Sequence, residues 1–441
     1  MQTNKHFRDP EHEPFREHKS LHIDNAYTHG PFSFLNPTRA QFRHDSLAND
    51  VQTSAKTASS TSTSEEDRPG PDEQPASDVR FLWRSRDNRK GRHALLVQDA
   101  IPGKDAQYIT PQRTSNPREV LRNIVRMFTY FPYWDISWNV AMFFTIGSVV
   151  WVINAFFAWL PFVAPSTDFS GEALYGGGIT AFIGAIVFFE TGSFLLIFEA
   201  FNANSAGCFG WAVENLVEEE ERKIRIRPEK KHCSHHHQNK KNFVGRSSAD
   251  TLDEHKPANE KTKDGKTWQW YPGWKSLKAH YFHELGFLAG VAQLTGATIF
   301  GISGFTALPG IQNAIPNQRV LNGVYWIPQM VGGTGFIVSG TLYMLETQKN
   351  WYTPSFGVLG WHIAFWNFIG ALGFTLCGAL GPAYGNSGAQ YEASLATFWG
   401  SWAFLIGSVL QLYESLDKHP VESMTKQTRQ EMDQRVTEVG G

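Results

Sequence analysis

At 441 residues the chain could fill two or three ordinary soluble domains, and its mean hydropathy of −0.32 gives no hint of a membrane protein. A formal charge of −2 excludes a globally basic nucleic-acid binder, and three scattered cysteines with no CxxC exclude a disulfide framework. The averages conceal segregation. The 33 Phe and 15 Trp concentrate in and beside two apolar blocks, 139–202 and 281–415, while roughly the first 135 residues and the span 203–280 are polar and charged.

The opening MQTNKHFRDPEHEP has no apolar core, so no cleaved signal peptide is expected and the first membrane helix serves as the targeting signal. Residues 1–80 are polar, with a Ser/Thr/Ala tract at 53–64 followed by Glu65-Glu66-Asp67. Such a composition buries too little apolar surface to offset its ordering entropy, so a disordered cytosolic tail is expected. A juxtamembrane segment, 81–132, then gains aromatics and Arg. Asn116-Pro117-Arg118-Glu119 reads as a helix start, with Asn as N-cap, Pro at the first helical position and Glu three residues after the cap. The helix is expected over about 117–131, with Arg118, Arg122 and Arg126 as a basic stripe beside a broad apolar face. It lies either on the cytoplasmic leaflet or against the protein's own cytosolic side. Phe131, Tyr133, Trp134 and Trp138 form an interfacial aromatic belt.

Six spans follow, at about 139–161, 177–201, 283–306, 323–345, 355–380 and 394–415, each near the ~20 residues that cross a hydrocarbon core. The loops 162–176, 307–322 and 381–393 hold Arg319 as their only Lys or Arg, whereas the opposite side is rich in both. The positive-inside rule therefore puts both termini in the cytosol. The expected fold is an all-α polytopic membrane protein of six transmembrane helices arranged as three tandem helical hairpins. These cover 133–202, 281–350 and 351–418, with a charged cytosolic loop at 203–280 and a cytosolic tail at 419–441. Within the loop, Glu218–Glu221 and Arg222–Arg227 read as a charged helix or linker.

A phrase recurs on the second helix of each hairpin. It runs Phe189-x-x-Gly192-Ser193-x-Leu195-x-x-x-Glu199, then Phe336-x-x-Ser339-Gly340-x-Leu342-x-x-x-Glu346, then Phe404-x-x-Gly407-Ser408-x-Leu410-x-x-x-Glu414. A softer echo, Phe144-x-x-Gly147-Ser148-x-Val150-x-x-x-Asn154, lies upstream. Helices 3 and 5 share a second phrase, Gly296-Ala297-x-x-Phe300 and Gly370-Ala371-x-x-Phe374. In lipid, close backbone approach at small residues supplies much of helix packing. The pairs Gly147-Ser148, Gly192-Ser193, Gly296-Ala297, Ser339-Gly340, Gly370-Ala371 and Gly407-Ser408 are therefore read as packing surfaces.

The carboxylates are the candidate ion or proton sites. Glu199, Glu346 and Glu414 share one register at a helix C-terminus, where negative charge opposes the macrodipole. Lys349 and Lys418 stand close enough for local pairing. The three acids either mark the membrane edge or form a ring that concentrates cations at a cytosolic mouth. Glu190, about 13 Å deeper at 1.5 Å per residue, binds a proton or cation or is a protonated acid bonded to a neighbouring helix. His232, Cys233, His235, His236 and His237 have soft-metal chemistry but no second ligand cluster, so they read as a solvated loop and no metal is expected.

The phrase Phe-x-x-Gly-Ser-x-Leu ending in Glu, on the second helix of a two-span hairpin, resembles the YrhK-like domain, and 133–418 is similar to longer fungal multi-span proteins that carry it. The resemblance implies a membrane fold and supplies no reaction, substrate or cofactor. No nucleophile motif, P-loop or HExxH appears, so no enzyme and no cofactor are expected. Two readings stand: a non-enzymatic membrane scaffold or regulator that recruits cytosolic proteins through 1–80 and 203–280, or a transporter or channel using Glu190 and the carboxylate ring. The bilayer is the one partner expected in either case, nucleic acid in neither, and plasma membrane and vacuole are both compatible.

Overall fold

The computed structural model describes residues 7–8, 13–16, 18–44, 79–97, 108–203, 210–218, 221–229 and 268–423. Its polar part is built on β-strands that the composition of the first 80 residues does not suggest. Strands β1 (Leu21–His29), β2 (Arg39–His44), β3 (Val79–Arg84), β4 (Ala94–Val97) and β8 (Val421–Ser423) form one sheet in that order. The first three pairings are antiparallel, and β8 joins β4 in parallel. Alternation explains β3: Val79, Phe81 and Trp83 turn to the buried face, where they meet Phe15, Leu21, Phe42, Leu95 and Val421. Arg80, on the other face, contacts Asp24 at 3.5 Å. The expectation of disorder over 1–80 is thus corrected for the described residues, because apolar partners from beyond residue 78 complete a core that the tail cannot build alone.

A second sheet is made of β5 (Tyr108–Ile109), β6 (Trp211–Glu218) and β7 (Glu221–Pro228), with β6 and β7 as an antiparallel hairpin. This replaces the charged helix or linker expected there. Ile226 is buried between exposed Arg225 and Arg227, a period of two that hides inside a basic run. Trp211 and Ile226 pack onto the first sheet's core.

Between β3 and β4 the chain makes one short helix, α1 (Ser85–Arg89). The next, α2 (Pro117–Thr129), starts as its sequence dictates, with the Asn116 side chain accepting from the Arg118 N–H at 3.1 Å. Its Asn123 is buried, while Leu121, Val125 and Phe128 are exposed. Among the described residues, none covers this apolar face.

The helical part is a closed ring. Five helices are long and apolar enough to cross a membrane by length and composition: α3 (Ile136–Val163), α4 (Glu172–Phe201), α5 (Leu285–Thr306), α7 (Leu359–Ala383) and α8 (Ser387–Leu416). Helix α6 (Ile327–Thr347), counted among the six expected spans, is 21 residues long, carries Pro328 and Gln329 at one end and Glu346 at the other, and is not among the five. Each helix packs on the next in sequence, and α8 returns to α3. Glycine, alanine and aromatic residues face inward, while Ile146, Val149, Val187, Ile302, Val338 and Ile406 lie exposed on the outside. A water-soluble bundle would show the opposite pattern, so the arrangement is compatible with an integral membrane protein.

Strand β8 is tied to β3 by a two-pronged ion pair, Arg84 to Glu422 at 2.6 Å on both oxygens. Burial raises the Glu422 pKa, but the adjacent Arg84 guanidinium outweighs it and holds the carboxyl below its ordinary range. A depressed carboxylate stabilises the fold above its unfolded pKa, and that contribution is lost as pH falls through the folded value. Acidification below about pH 4 is expected to release β8, read as faster amide exchange at Val421–Ser423, and Glu422→Gln should flatten that dependence. Pairing that stays equally protected down to pH 2 would contradict it.

Candidate functional site

The three aligned glutamates come together, and they are not left open. Glu199, Glu346 and Glu414 sit at the sheet-side mouth of the ring at 0 %, 2 % and 1 % exposure. What fills the mouth is α1. Arg86, Arg89 and Lys90 stand at i, i+3 and i+4, so one helical turn aims all three cations the same way. Arg86 donates from Nε and Nη2 to Glu414 at 3.0 and 2.6 Å. Arg89 grips Glu346 through Nη1 and Nη2 at 2.6 and 3.0 Å, with the Ser85 hydroxyl donating to the same carboxylate at 2.8 Å. Lys90 Nζ donates to Glu199 at 3.2 Å. Arg89 Nε also stands 3.4 Å from Glu199, close enough for charge attraction but not aligned as a hydrogen bond.

The helix termini explain the need. Each glutamate adds charge to the negative end of a helix dipole and is cut off from water, so an unpaired acid there would be costly. Local pairing with Lys418, available in sequence, is not what the fold uses. Lys418 instead reaches Asp135 at 2.5 Å and the Lys90 carbonyl at 2.9 Å. Around the rim, Arg92 joins Asp87 at 2.6 Å, Glu414 at 3.3 Å and Asp417 at 3.4 Å. Burial opposes charge on Arg86 and Arg89, yet Glu414 and Glu346 hold both pKa values above the ordinary arginine range. Burial dominates at Lys90 and lowers its pKa in spite of Glu199.

Room for the guanidinium groups comes from the odd-numbered members of the ring. A methyl group at Gly286 would collide with Arg89 Nη1 and Glu346, and one at Gly360 would lie 2.5 Å from Arg86 Nε. These glycines stand ten residues before Gly296 and Gly370. Ser137, ten before Gly147, occupies the corresponding place next to Glu199, where the slimmer lysine arrives.

Below the mouth the recurring Phe residues meet on the axis. Phe189, Phe336 and Phe404 form a triangle with ring centroids 5.5–6.3 Å apart. A second triangle, Trp151, Phe300 and Phe374, lies against it with centroids 4.8–5.7 Å apart. Trp151 reveals that α3 belongs with the Gly-Ala-x-x-Phe phrase, as Gly147-Ser148-x-x-Trp151, and is not a weak copy of the glutamate phrase. Accordingly Asn154 is remote from the mouth and donates to the Gly177 carbonyl at 2.6 Å and Thr180 at 3.0 Å.

The small pairs lie at helix contacts. An added Cβ would come within 2.7 Å of Phe188 at Gly147, 3.2 Å of Phe144 at Gly192 and 2.8 Å of the Gly332 carbonyl at Gly296. The corresponding distances are 3.0 Å to Phe368 at Gly340, 2.7 Å to Phe404 at Gly370 and 3.2 Å to Asn367 at Gly407. Ala297 and Ala371 are buried. Ser148 and Ser193 return their hydroxyls to the carbonyls of Phe144 and Phe189 at 2.7 Å, and Ser408 bonds the Leu405 carbonyl at 3.0 Å. Ser339 alone in this set has a buried hydroxyl with no hydrogen-bond partner.

Glu190 stands apart from all of this. It closes a π-helical stretch, Ile183–Glu190, and accepts from Thr298 at 2.8 Å. Thr298 is on the exposed outer face, so Glu190 clips α4 to α5 from outside the axis. His232, Cys233 and His235–His237 lie outside the described residues, and among the described residues no group of His, Cys, Asp and Glu could hold a metal ion. The fold and site define a ring of apolar helices whose mouth is locked by a segment of the same chain. Compared with protein-family models, curated proteins and solved structures, the chain matches none.

Proposed function

We propose that this chain is a six-span membrane scaffold with its own cytosolic cap, non-enzymatic, in which α3–α8 form three hairpins around a pseudo-threefold axis. The observation that carries the reading is the closed axis: two stacked aromatic triangles under three buried ion pairs leave no continuous polar path. A carboxylate ring already filled by Arg86, Arg89 and Lys90 attracts no further cation, and Glu190 faces away from the axis.

Strand pairing supports counting α6 as a span. β4 precedes α3 and β8 follows α8, and the two share one sheet, so the chain crosses an even number of times between them. Exposed aromatics precede each odd span, Phe131 and Tyr133, Trp270 and Trp274, Trp351 and Tyr352, which suits an interfacial belt. The uncovered apolar face of α2, edged by Arg118 and Arg122, suits the same headgroup layer. Together with the loop charges, these features support a cytosolic side for the sheet and both termini. The YrhK-like resemblance belongs to the same proposal, since it rests on the Phe and Glu that meet at the axis. Cytosolic proteins would be recruited on the sheet side.

Proteoliposomes test it. Potassium, proton and chloride fluxes are expected to equal those of protein-free vesicles, and cysteines placed at Gly385 and Ser423 should label from opposite faces. A cation flux that Glu190→Gln or Glu346→Gln abolishes would replace the scaffold by the transporter.

A further inference from the structure

Between the ion-paired mouth and the first aromatic triangle lies a cavity of about 50 Å³. A water needs roughly 10–15 Å³, so the space admits about three to five water-sized particles. Phe189, Phe336 and Phe404 are its floor, and Arg86, Arg89 and Lys90 are its roof. Every charged group on its wall is a cation. Glu199, Glu346 and Glu414 hold those cations from behind and do not line it.

The side walls are polar in a selective way. Three residues before Gly147, Gly296 and Gly370 stand Phe144, Gln293 and Asn367, and all of them line the space. Three residues before Glu199, Glu346 and Glu414 stand Leu196, Tyr343 and Gln411, which line it as well. Equivalent positions are thus apolar on α3 and α4 and carry amides or a phenol on the other four helices. Packing alone asks for no such amides, because Phe and Leu fill the same places elsewhere in the ring. The Ser339 hydroxyl, 1 % exposed, also lines the cavity and has no hydrogen-bond partner. A buried hydroxyl left unpaired in a polar cavity points to an occupant.

We infer that this cavity binds a small monovalent anion of halide size. A cation placed there would face three like charges with no carboxylate on the wall. An anion meets the Lys90 ammonium, the Arg86 guanidinium, the Ser339 and Tyr343 hydroxyls and amide N–H groups, all of them able to donate. Arg86 engages Glu414 through Nε and Nη2, which leaves Nη1 for a second acceptor. The site goes beyond the scaffold reading and does not rest on it. An anion held between roof and walls is a structural ligand, and its binding is separable from any flux.

The test is thermal unfolding of the full chain in nanodiscs, titrating sodium bromide against sodium gluconate at fixed ionic strength. Bromide is expected to raise Tm saturably. Gln411→Leu and Ser339→Ala should each weaken its apparent affinity at least tenfold, while Thr334→Val, on the exposed outer face, should respond like the parent protein. Identical curves in bromide and gluconate would mean that the cavity holds water alone, and a bromide response unchanged in the cavity variants would mean an adventitious ion only; either overturns the inference. Should Gln411→Leu fail to fold, Ser339→Ala, which removes a single oxygen, still decides.

Discussion

Arg89→Met is expected to destabilise the folded chain by about 3–5 kcal/mol, the loss typical when one partner of a buried ion pair is removed. Arg89 is the centre of the lock: it binds Glu346 with two hydrogen bonds, stands 3.4 Å from Glu199 and lies over the Tyr343 ring at 5.3 Å. Methionine fills most of its volume, so the loss is that of charge and not of packing. Glu346 would keep the Ser85 hydroxyl but lose its direct counter-charge, with Arg86 left acting on it from farther off, or be forced to take up a proton. The double variant Arg89→Met/Glu346→Gln removes the orphaned charge together with its partner and should recover at least half of the loss. Unfolding midpoints of the purified protein in detergent measure both effects. Equal midpoints for Arg89→Met and the parent protein would show that α1 is a passive neighbour of the mouth.

The phrase that ends in glutamate shows why part of this site was legible in the sequence. Phe189, Phe336 and Phe404 repeat at a fixed distance from Glu199, Glu346 and Glu414, so a common register at one end of the bundle follows from helix geometry alone. The partners do not follow. Lys90 lies 109 residues from Glu199, Arg89 lies 257 from Glu346 and Arg86 lies 328 from Glu414, and no local periodicity reports on contacts at such separations. Local pairing with Lys349 and Lys418 is the natural reading, and the fold departs from it because Lys418 is committed to Asp135. The residues that carry the lock did leave a trace. Ser85-Arg86-Asp87-Asn88-Arg89-Lys90 is bracketed by Val79-x-Phe81-x-Trp83 and Ala94-Leu95-Leu96-Val97, two short strands around a charged turn. Embedded in a chain whose first 80 residues are polar on average, that pattern is read as part of a juxtamembrane segment. Window averaging loses it, because the sheet draws its strands from both ends of the protein. The echo in α3 is misassigned for a related reason. A pair of small residues that includes Gly is shared by both phrases, and only the position of Trp151 in space shows which phrase α3 follows.

The cap also changes what the buried glycines of the ring have to do. Sequence patterning treats each small pair as a place for helices to approach, and Gly147, Gly296 and Gly370 fit that role. Gly286 and Gly360 do something else: they leave the space through which guanidinium groups enter the ring. Packing within the bundle and docking of the cap are therefore coupled through the same helices. Loss of the lock should loosen the ends of α5 and α7 before it disturbs the aromatic layers beneath.

Those layers in turn depend on close backbone approach between α5 and α6. Gly332→Leu is expected to prevent accumulation of folded protein, and Gly332→Ala to cost about 1–3 kcal/mol as overpacking. A Cβ at Gly332 would stand 2.6 Å from the Gly296 carbonyl oxygen and equally close to the Phe300 backbone nitrogen and Cβ. On the other side, a Cβ at Gly335 would stand 2.6 Å from the Gly296 Cα. Neither neighbour is the free end of a side chain, so relief requires the helices to part. Parting draws Phe300 away from Phe336, and so displaces one corner of each aromatic triangle. Lipid gives no hydrophobic compensation for helix separation, since the gain at this contact is close packing alone. Gly323→Ala is the matched comparison. Nothing lies within 4 Å of a Cβ there, so the change should be neutral or stabilising, by up to about 1 kcal/mol from helix propensity. Folded yield and unfolding midpoint, compared across the three variants, separate a steric wedge from the intrinsic effect of losing a glycine. If Gly332→Ala behaved like Gly323→Ala, close approach at this contact would not hold α5 and α6 together.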